Sequence, residues 1–136
     1  MKKNDFDSNN HAVFKLNYHL VLIVKYRRKV ISQAIQELIV RTFQEYAGNH
    51  GIVLEKANGE ADHIHFLFRA PPSMSISSFI NVLKTQTSRR VRKLHWDEIK
   101  KKLWKGKFWS QSYILLTCGG VSVDVVRQYI EQQGKK

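Results

Sequence analysis

The chain has 136 residues, with 23 Lys+Arg against 11 Asp+Glu and a formal charge of +12. That is one domain of ordinary size, long enough to bury a core, and 43% hydrophobic with 25% charged residues excludes a mostly disordered polymer. No apolar run approaches the ~18 residues of a membrane span, and the single cysteine, Cys118, cannot close an internal disulfide, which points to a reducing cytoplasm.

Residues 1–12 are polar and read as a flexible lead-in without the apolar stretch of a secretion signal. From Leu16 to Val24, Leu16, Tyr18, Leu20, Leu22 and Val24 alternate with Asn17, His19, Val21 and Ile23, the period of a strand. Both sets are fairly apolar, which predicts a central strand covered on two sides. A basic connection follows, Lys25-Tyr26-Arg27-Arg28-Lys29. Ser32 then caps a helix whose Ile35, Leu38, Ile39, Thr42, Phe43 and Tyr46 recur at helical spacing, and Gly48 to Gly51 ends it. Ile52 to Ala57 reads as a second strand, Asn58-Gly59 as a turn, and His63 to Arg69 as a third strand.

After Pro71-Pro72, Ser75 caps a helix running to about Leu94, with Ile76, Phe79, Ile80, Leu83 and Val91 roughly on one side. A short helical piece is predicted around Trp96 to Trp104, a fourth strand over Tyr113 to Thr117, and a last helix over Asp124 to Gln133, capped by Ser122. The order βαββαβ plus a helix predicts an α+β fold of the ferredoxin-like, RRM-like type. Its antiparallel sheet would carry helices, with a C-terminal helix bearing Tyr129. No linker or repeat divides the chain, so residues 1–136 read as one domain.

The charge is one-sided. Residues 1–68 hold 9 basic and 7 acidic side chains, and residues 69–136 hold 14 and 4. Such a field draws polyanions, nucleic acid before membrane, unless it is only a solubilising surface. Trp96, Trp104, Phe108 and Trp109 lie among lysines. They can stack unpaired bases or anchor the chain to its core, and a mixture of the two is expected.

Three residue sets can carry chemistry. His63 and His65 share one face of a strand, while Ile64, Phe66 and Phe68 share the other and enter the core. Two imidazoles so placed can converge on a divalent cation, or can be two polar residues on a wet sheet face. Tyr129 and Gln133 stand four apart on the last helix and share a face. Tyr129 is either a core tyrosine or a nucleophile towards phosphorus. His19 reads first as a satisfied core histidine and second as a partner of the pair. Asp62 and Glu60 are close enough in sequence to orient an imidazole or bind a cation from outside.

Together these residues are specific. Asp62-His63-Ile64-His65-Phe66-Leu67-Phe68 resembles the HUH motif, in which U is hydrophobic, and Tyr129-Ile130-Glu131-Gln132-Gln133 is similar to the tyrosine helix of single-tyrosine HUH transposases of the insertion sequence 200/605 family. Tyr18-His19-Leu20-Val21 with Lys25 to Lys29, and Leu103-Trp104 with Phe108-Trp109-Ser110 and Ser112-Tyr113, extend the resemblance over about Phe14 to Gln133. It implies a homodimeric enzyme. His63, His65 and Gln133 would hold Mg²⁺ or Mn²⁺, and Tyr129 would attack single-stranded DNA to give a 5′-phosphotyrosine and a free 3′-OH. Subterminal hairpins would be the DNA recognised. Gly119-Gly120 would be the hinge of the tyrosine helix. Lys25, Arg27, Arg28, Lys29, Lys84, Arg89, Arg90 and Lys93 are the candidate phosphate contacts. A domesticated palindrome-processing relative, a non-catalytic nucleic-acid-binding module and a replication initiator or relaxase are the alternatives.

Overall fold

The structure, a computed structural model, describes residues 7–8, 13–14, 16–103, 105–117 and 128. In chain order it has β1 (Asp7–Ser8), β2 (Val13–Phe14), β3 (Asn17–Val24), a 3₁₀ turn (Lys25–Arg27), α1 (Gln33–Gly48), β4 (Val53–Glu60), β5 (His63–Arg69), α2 (Ile76–Ile99) and β6 (Trp109–Thr117). Strands β4-β5-β3-β6 form one sheet in that order, every neighbour antiparallel. This is the strand order of the predicted ferredoxin-like α+β fold. Asp7–Ser8 of the polar lead-in pairs with Val13–Phe14, just after it, as a separate two-stranded piece.

The helices form where their caps and apolar stripes fall. Ser32 Oγ accepts the backbone N–H of Ile35 at 3.2 Å, satisfying one of the unpaired donors of the first turn. Ile35, Leu38, Ile39, Phe43 and Ala47 then line the buried side of α1. Ser75 Oγ accepts from Ser78 N–H in the same way, and Phe79, Ile80, Leu83, Thr87 and Val91 are buried along α2. Both helices contribute to one core with Leu20, Leu22 and Val24 of β3 and Ile64, Phe66 and Phe68 of β5. Phe43 is its centre, with ring centroids 4.6 Å from Phe66, 5.4 Å from Phe68 and 5.3 Å from Phe79. The alternation read from the sequence therefore holds: the even positions of β5 enter the core and the odd ones face away from the helices.

Three boundaries differ from the sequence reading. Asn58-Gly59 is not a turn but the end of β4, and the chain reverses at Ala61-Asp62. Tertiary bonds fix that reversal: Ala61 C=O accepts from Val30 and Ile31 N–H at 3.0 and 2.9 Å, and Asp62 C=O accepts from Val24 N–H at 3.0 Å. The predicted helical piece after Leu94 is instead a continuation of α2 to Ile99 across a kink at His95, whose φ is −128°. Strand β6 begins at Trp109, four residues before the predicted start.

Candidate active site

The face of the sheet opposite α1 and α2 carries the candidate histidines. Register places His65 opposite Val21 of β3 and Asn58 of β4, while His63 lies opposite Ile23 and Glu60. His19 lies opposite Leu67, two residues along. Val21, Ile23, Ile114 and Leu116 make a small apolar cluster on the same face. The two imidazoles thus sit half-buried on a central strand, flanked on one side by hydrocarbon and on the other by the polar Asn58 and the exposed Glu60.

Each imidazole has a different neighbour. His63 Nδ1 is 2.8 Å from Asp62 Oδ1. The other carboxylate oxygen, Oδ2, accepts from Arg27 Nη2 at 2.9 Å and Nε at 3.2 Å. Asp62 is buried at 8% exposure. Burial works to raise its pKa, but the hydrogen bond and charge of His63 and the charge and hydrogen bond of Arg27 outweigh it and hold the carboxyl below its ordinary value. His65 Nδ1 is 3.2 Å from His19 Nε2, with ring centroids 5.1 Å apart. The favoured reading of His19 as an ordinary core histidine is thereby corrected: it is buried at 3% exposure, but against His65 and away from the helices. The sequence signal for this was present, because His19 and Val21 share a face of β3 in the same way that His63 and His65 share one of β5.

The basic candidates divide. Arg28, Lys29, Arg89 and Lys93 are exposed. Lys25 Nζ lies 5.2 Å from the Tyr26 ring centroid, and Tyr26 itself is 62% exposed. Arg27 is turned onto Asp62. Arg90 is held against α1, donating to both oxygens of Glu45 at 2.6 and 3.1 Å and lying 5.5 Å over the Tyr46 ring. Of the candidate phosphate contacts, Arg27 and Arg90 therefore each face a carboxylate, Asp62 and Glu45 respectively.

An open groove of about 510 Å³ runs between α2 and the start of β6, with Lys84, Arg89, Arg92 and Lys107 on its walls and Phe108 and Trp109 at its floor. Among the described residues no carboxylate lines it. Lys84 Nζ donates to Gln111 C=O at 3.1 Å, and Arg92 donates to Gly106 C=O and Ser88 Oγ, each at 2.9 Å, so both cations rest on neutral acceptors. Phe108 and Trp109 are buried anchors, and Trp109 Nε1 donates to Thr87 Oγ1 at 2.8 Å. Arg92 and Lys107 join the basic candidates on the groove wall, and the helical spacing of Lys84, Ser88 and Arg92 marks that wall. Lys25 N–H donates to Phe108 C=O at 2.8 Å, so the basic turn and the groove meet at one end of β6.

Among the described residues no group of three or more His, Cys, Asp or Glu gathers into a metal cage. The donor set on the open face is two imidazoles. That is too few for a closed site but fits two ligands of an open one, and nitrogen donors suit Mn²⁺ better than the harder Mg²⁺. Tyr129, Gln133, Gly119, Gly120, Cys118 and Trp104 lie outside the described residues. Gln128, beside Tyr129, is helical.

The four-stranded antiparallel sheet thus carries a histidine pair on the side of β5 turned away from α1 and α2, and a basic groove lies between α2 and the start of β6. The family model for IS200-like transposases matches residues 12–133, and the chain belongs to that family. It is 32% identical to the ISDra2 transposase TnpA of Deinococcus radiodurans over 124 residues, spanning 91% of this chain and 88% of the relative. It is also 29% identical to the transposase for insertion sequence element IS200 of Salmonella typhimurium over 129 residues, 95% and 84% of the two chains. A crystal structure of a Deinococcus radiodurans R1 protein described as a transposase superposes with a TM-score of 0.77 at 29% identity, covering 93% of this chain and 97% of that one. The REP-associated tyrosine transposase bound to a REP hairpin shares the fold, with a TM-score of 0.59 at 10% identity over 90% and 67% of the two chains. No helix among the described residues is long and apolar enough to cross a membrane.

Proposed function

We propose that this IS200-family transposase cuts and rejoins single-stranded DNA through Tyr129, at a site completed by His63, His65 and Gln133. The observation that supports this best is the pair of imidazoles on the face of β5 turned away from α1 and α2, one held by a buried carboxylate and the other by a second histidine. A sheet face that needed only solubility would not bury an aspartate to hold an imidazole.

In this reading the Tyr129 phenolic oxygen bonds to a backbone phosphorus and the P–O3′ bond breaks. The phenolic proton is lost to solvent and the departing 3′ oxygen takes one up, leaving a 5′-phosphotyrosine and a 3′-OH. Because one phosphodiester replaces another, the 3′-OH of the same or another end can reverse the step without a nucleotide cofactor. A divalent ion held by His63, His65 and Gln133 would supply Lewis-acid polarisation of the phosphate. The protein's own contribution is to hold the two imidazoles in fixed orientation and to track the strand with Lys25, Arg28 and Lys29 at the turn and Lys84, Arg89 and Lys93 on α2. The meeting of turn and groove at Phe108 gives a strand a continuous basic path past the end of β6. A homodimer, Gly119-Gly120 as the hinge of the tyrosine helix, subterminal hairpins as the ligand and work in the cytoplasm complete the proposal.

The test is covalent capture. With Mn²⁺ and a labelled hairpin oligonucleotide bearing a single-stranded flank, the wild type forms a denaturation-resistant adduct. Tyr129→Phe forms none while still binding the DNA. An adduct in Tyr129→Phe, or salt-sensitive binding by the wild type with no cleavage in any divalent metal, would overturn this assignment.

A further inference from the structure

Asp62 and Arg27 join the basic turn to the histidine pair through two partly buried contacts, and the backbone of the turn is strained. Tyr26 and Arg27 stand in succession in the left-handed region, at φ 56° and 53°. Neither is glycine, and a side chain's Cβ makes that region unfavourable. The strain is held by backbone bonds on both sides, Lys25 N–H to Phe108 C=O at 2.8 Å and Arg28 N–H to Lys25 C=O at 3.4 Å. The turn so formed brings the Arg27 guanidinium onto Asp62 Oδ2. On the far side of the carboxylate, Oδ1 meets His63 Nδ1 at 2.8 Å.

An ionised carboxylate only accepts. The proton of a neutral His63 must therefore sit on Nδ1, and its lone pair on Nε2. Free imidazole side chains favour the opposite tautomer, so the protein is imposing this one. Arg27, by occupying Oδ2 from the other side, keeps the carboxylate from rotating away. His65 Nδ1 instead meets the imidazole of His19 at 3.2 Å. The two histidines are thus held by unlike partners, one by a carboxylate and the other by an imidazole.

We propose that Asp62 is a positioning residue that fixes His63 with Nε2 presented for metal, and that Arg27 is its strut rather than a DNA contact. This rests on the reading of His63 as a metal ligand. The experiment has two arms, both on the full-length chain. In the first, long-range ¹H–¹⁵N spectra of histidine-labelled, metal-free protein above neutral pH read the His63 tautomer. The wild type is expected to show the Nδ1–H form and Asp62→Ala to shift towards Nε2–H. In the second, Mn²⁺ affinity is read from the electron paramagnetic resonance of the free ion. Asp62→Ala is expected to weaken binding by about 10–100-fold, the usual loss when such a partner is removed. Asp62→Asn, which keeps an acceptor oxygen for Nδ1–H, is expected to recover much of that loss.

Arg27→Gln is expected to weaken Mn²⁺ binding while leaving the salt dependence of DNA binding unchanged, which a phosphate contact would not. It also serves as the informative variant if Asp62→Ala fails to fold. An Nε2–H tautomer in the wild type, equal Mn²⁺ affinity in wild type and Asp62→Ala, or equal weakening by Ala and Asn would each overturn the positioning role. Absence of Mn²⁺ binding by the wild type would overturn the metal reading beneath it, and is told apart because the tautomer arm then stands alone.

Discussion

Alanine at Gly59 puts a methyl group where two strands already touch. A Cβ built there lies 2.5 Å from His63 C=O and 2.9 Å from Ile64 Cα, both backbone atoms that cannot swing aside. Ordinary carbon contacts begin near ~3.5 Å, so the two strands must part locally by roughly 0.5–1 Å. Gly59 pairs with Ile64, whose side chain is fully buried, and the neighbouring pair is Glu60 with His63. Overpacking of this kind costs about 1–3 kcal/mol. Because β4 is the edge strand of the described sheet, paired there with β5, it can yield, which sets the expectation near the middle of that range, about 2 kcal/mol. Urea unfolding monitored by tryptophan fluorescence measures it, and the same protein should show weakened Mn²⁺ binding because His63 moves with the strand. Gly48→Ala is the internal control. Nothing lies within 4 Å of the place its methyl group would take at the end of α1, so alanine there is neutral or stabilising by up to about 1 kcal/mol. A Gly59→Ala protein as stable as wild type would refute the claim that glycine is required here by close approach.

Three further outcomes follow from the same contacts. Thr87→Val removes the acceptor of the buried Trp109 Nε1–H and should destabilise by about 1–3 kcal/mol in urea, whereas Thr87→Ser should retain most of the stability. The Glu45–Arg90 pair is held together by a hydrogen bond from Arg90, which lowers the Glu45 pKa. A carboxyl depressed in the folded state contributes stability above its unfolded value of about 4.3 and loses it as pH falls through the folded value. Melting curves of wild type and Glu45→Gln should therefore converge as pH drops below about 4. Arg89→Ala should weaken binding to unrelated single-stranded oligonucleotides alike and reduce the slope of log K against log salt by about 0.7, measured by fluorescence anisotropy; an unchanged slope would remove Arg89 from the strand path.

What could be read from the residues, and what could not, divides along local and tertiary causes. The caps Ser32 and Ser75, the apolar stripes of both helices and the alternation of β5 are local patterns, and all are present in the fold. Asn58-Gly59 is a strong local turn signal that lost to tertiary bonds: the reversal is fixed two residues later by Val24, Val30 and Ile31, which lie on the far side of α1 in sequence. The early start of β6 was hidden because Ser110, Gln111 and Ser112 are polar, as suits an edge strand with one exposed side. The histidine pair was visible as a period of two. Its unlike partners were only half visible, since Asp62 is adjacent in sequence, while Arg27 and His19 reach the site by a strained turn and a neighbouring strand.

The seven-residue strand from His63 to Arg69 has a consequence for how this family can vary. Its even members, Ile64, Phe66 and Phe68, have no exposed surface, while His63 and His65 look out from the opposite side. Two kinds of selection therefore read the same short stretch on alternate letters. Damage at the even letters should surface as lost protein, and damage at the histidines as intact but inert protein, so abundance and transposition measured across a saturation library would rise and fall out of phase along this one strand.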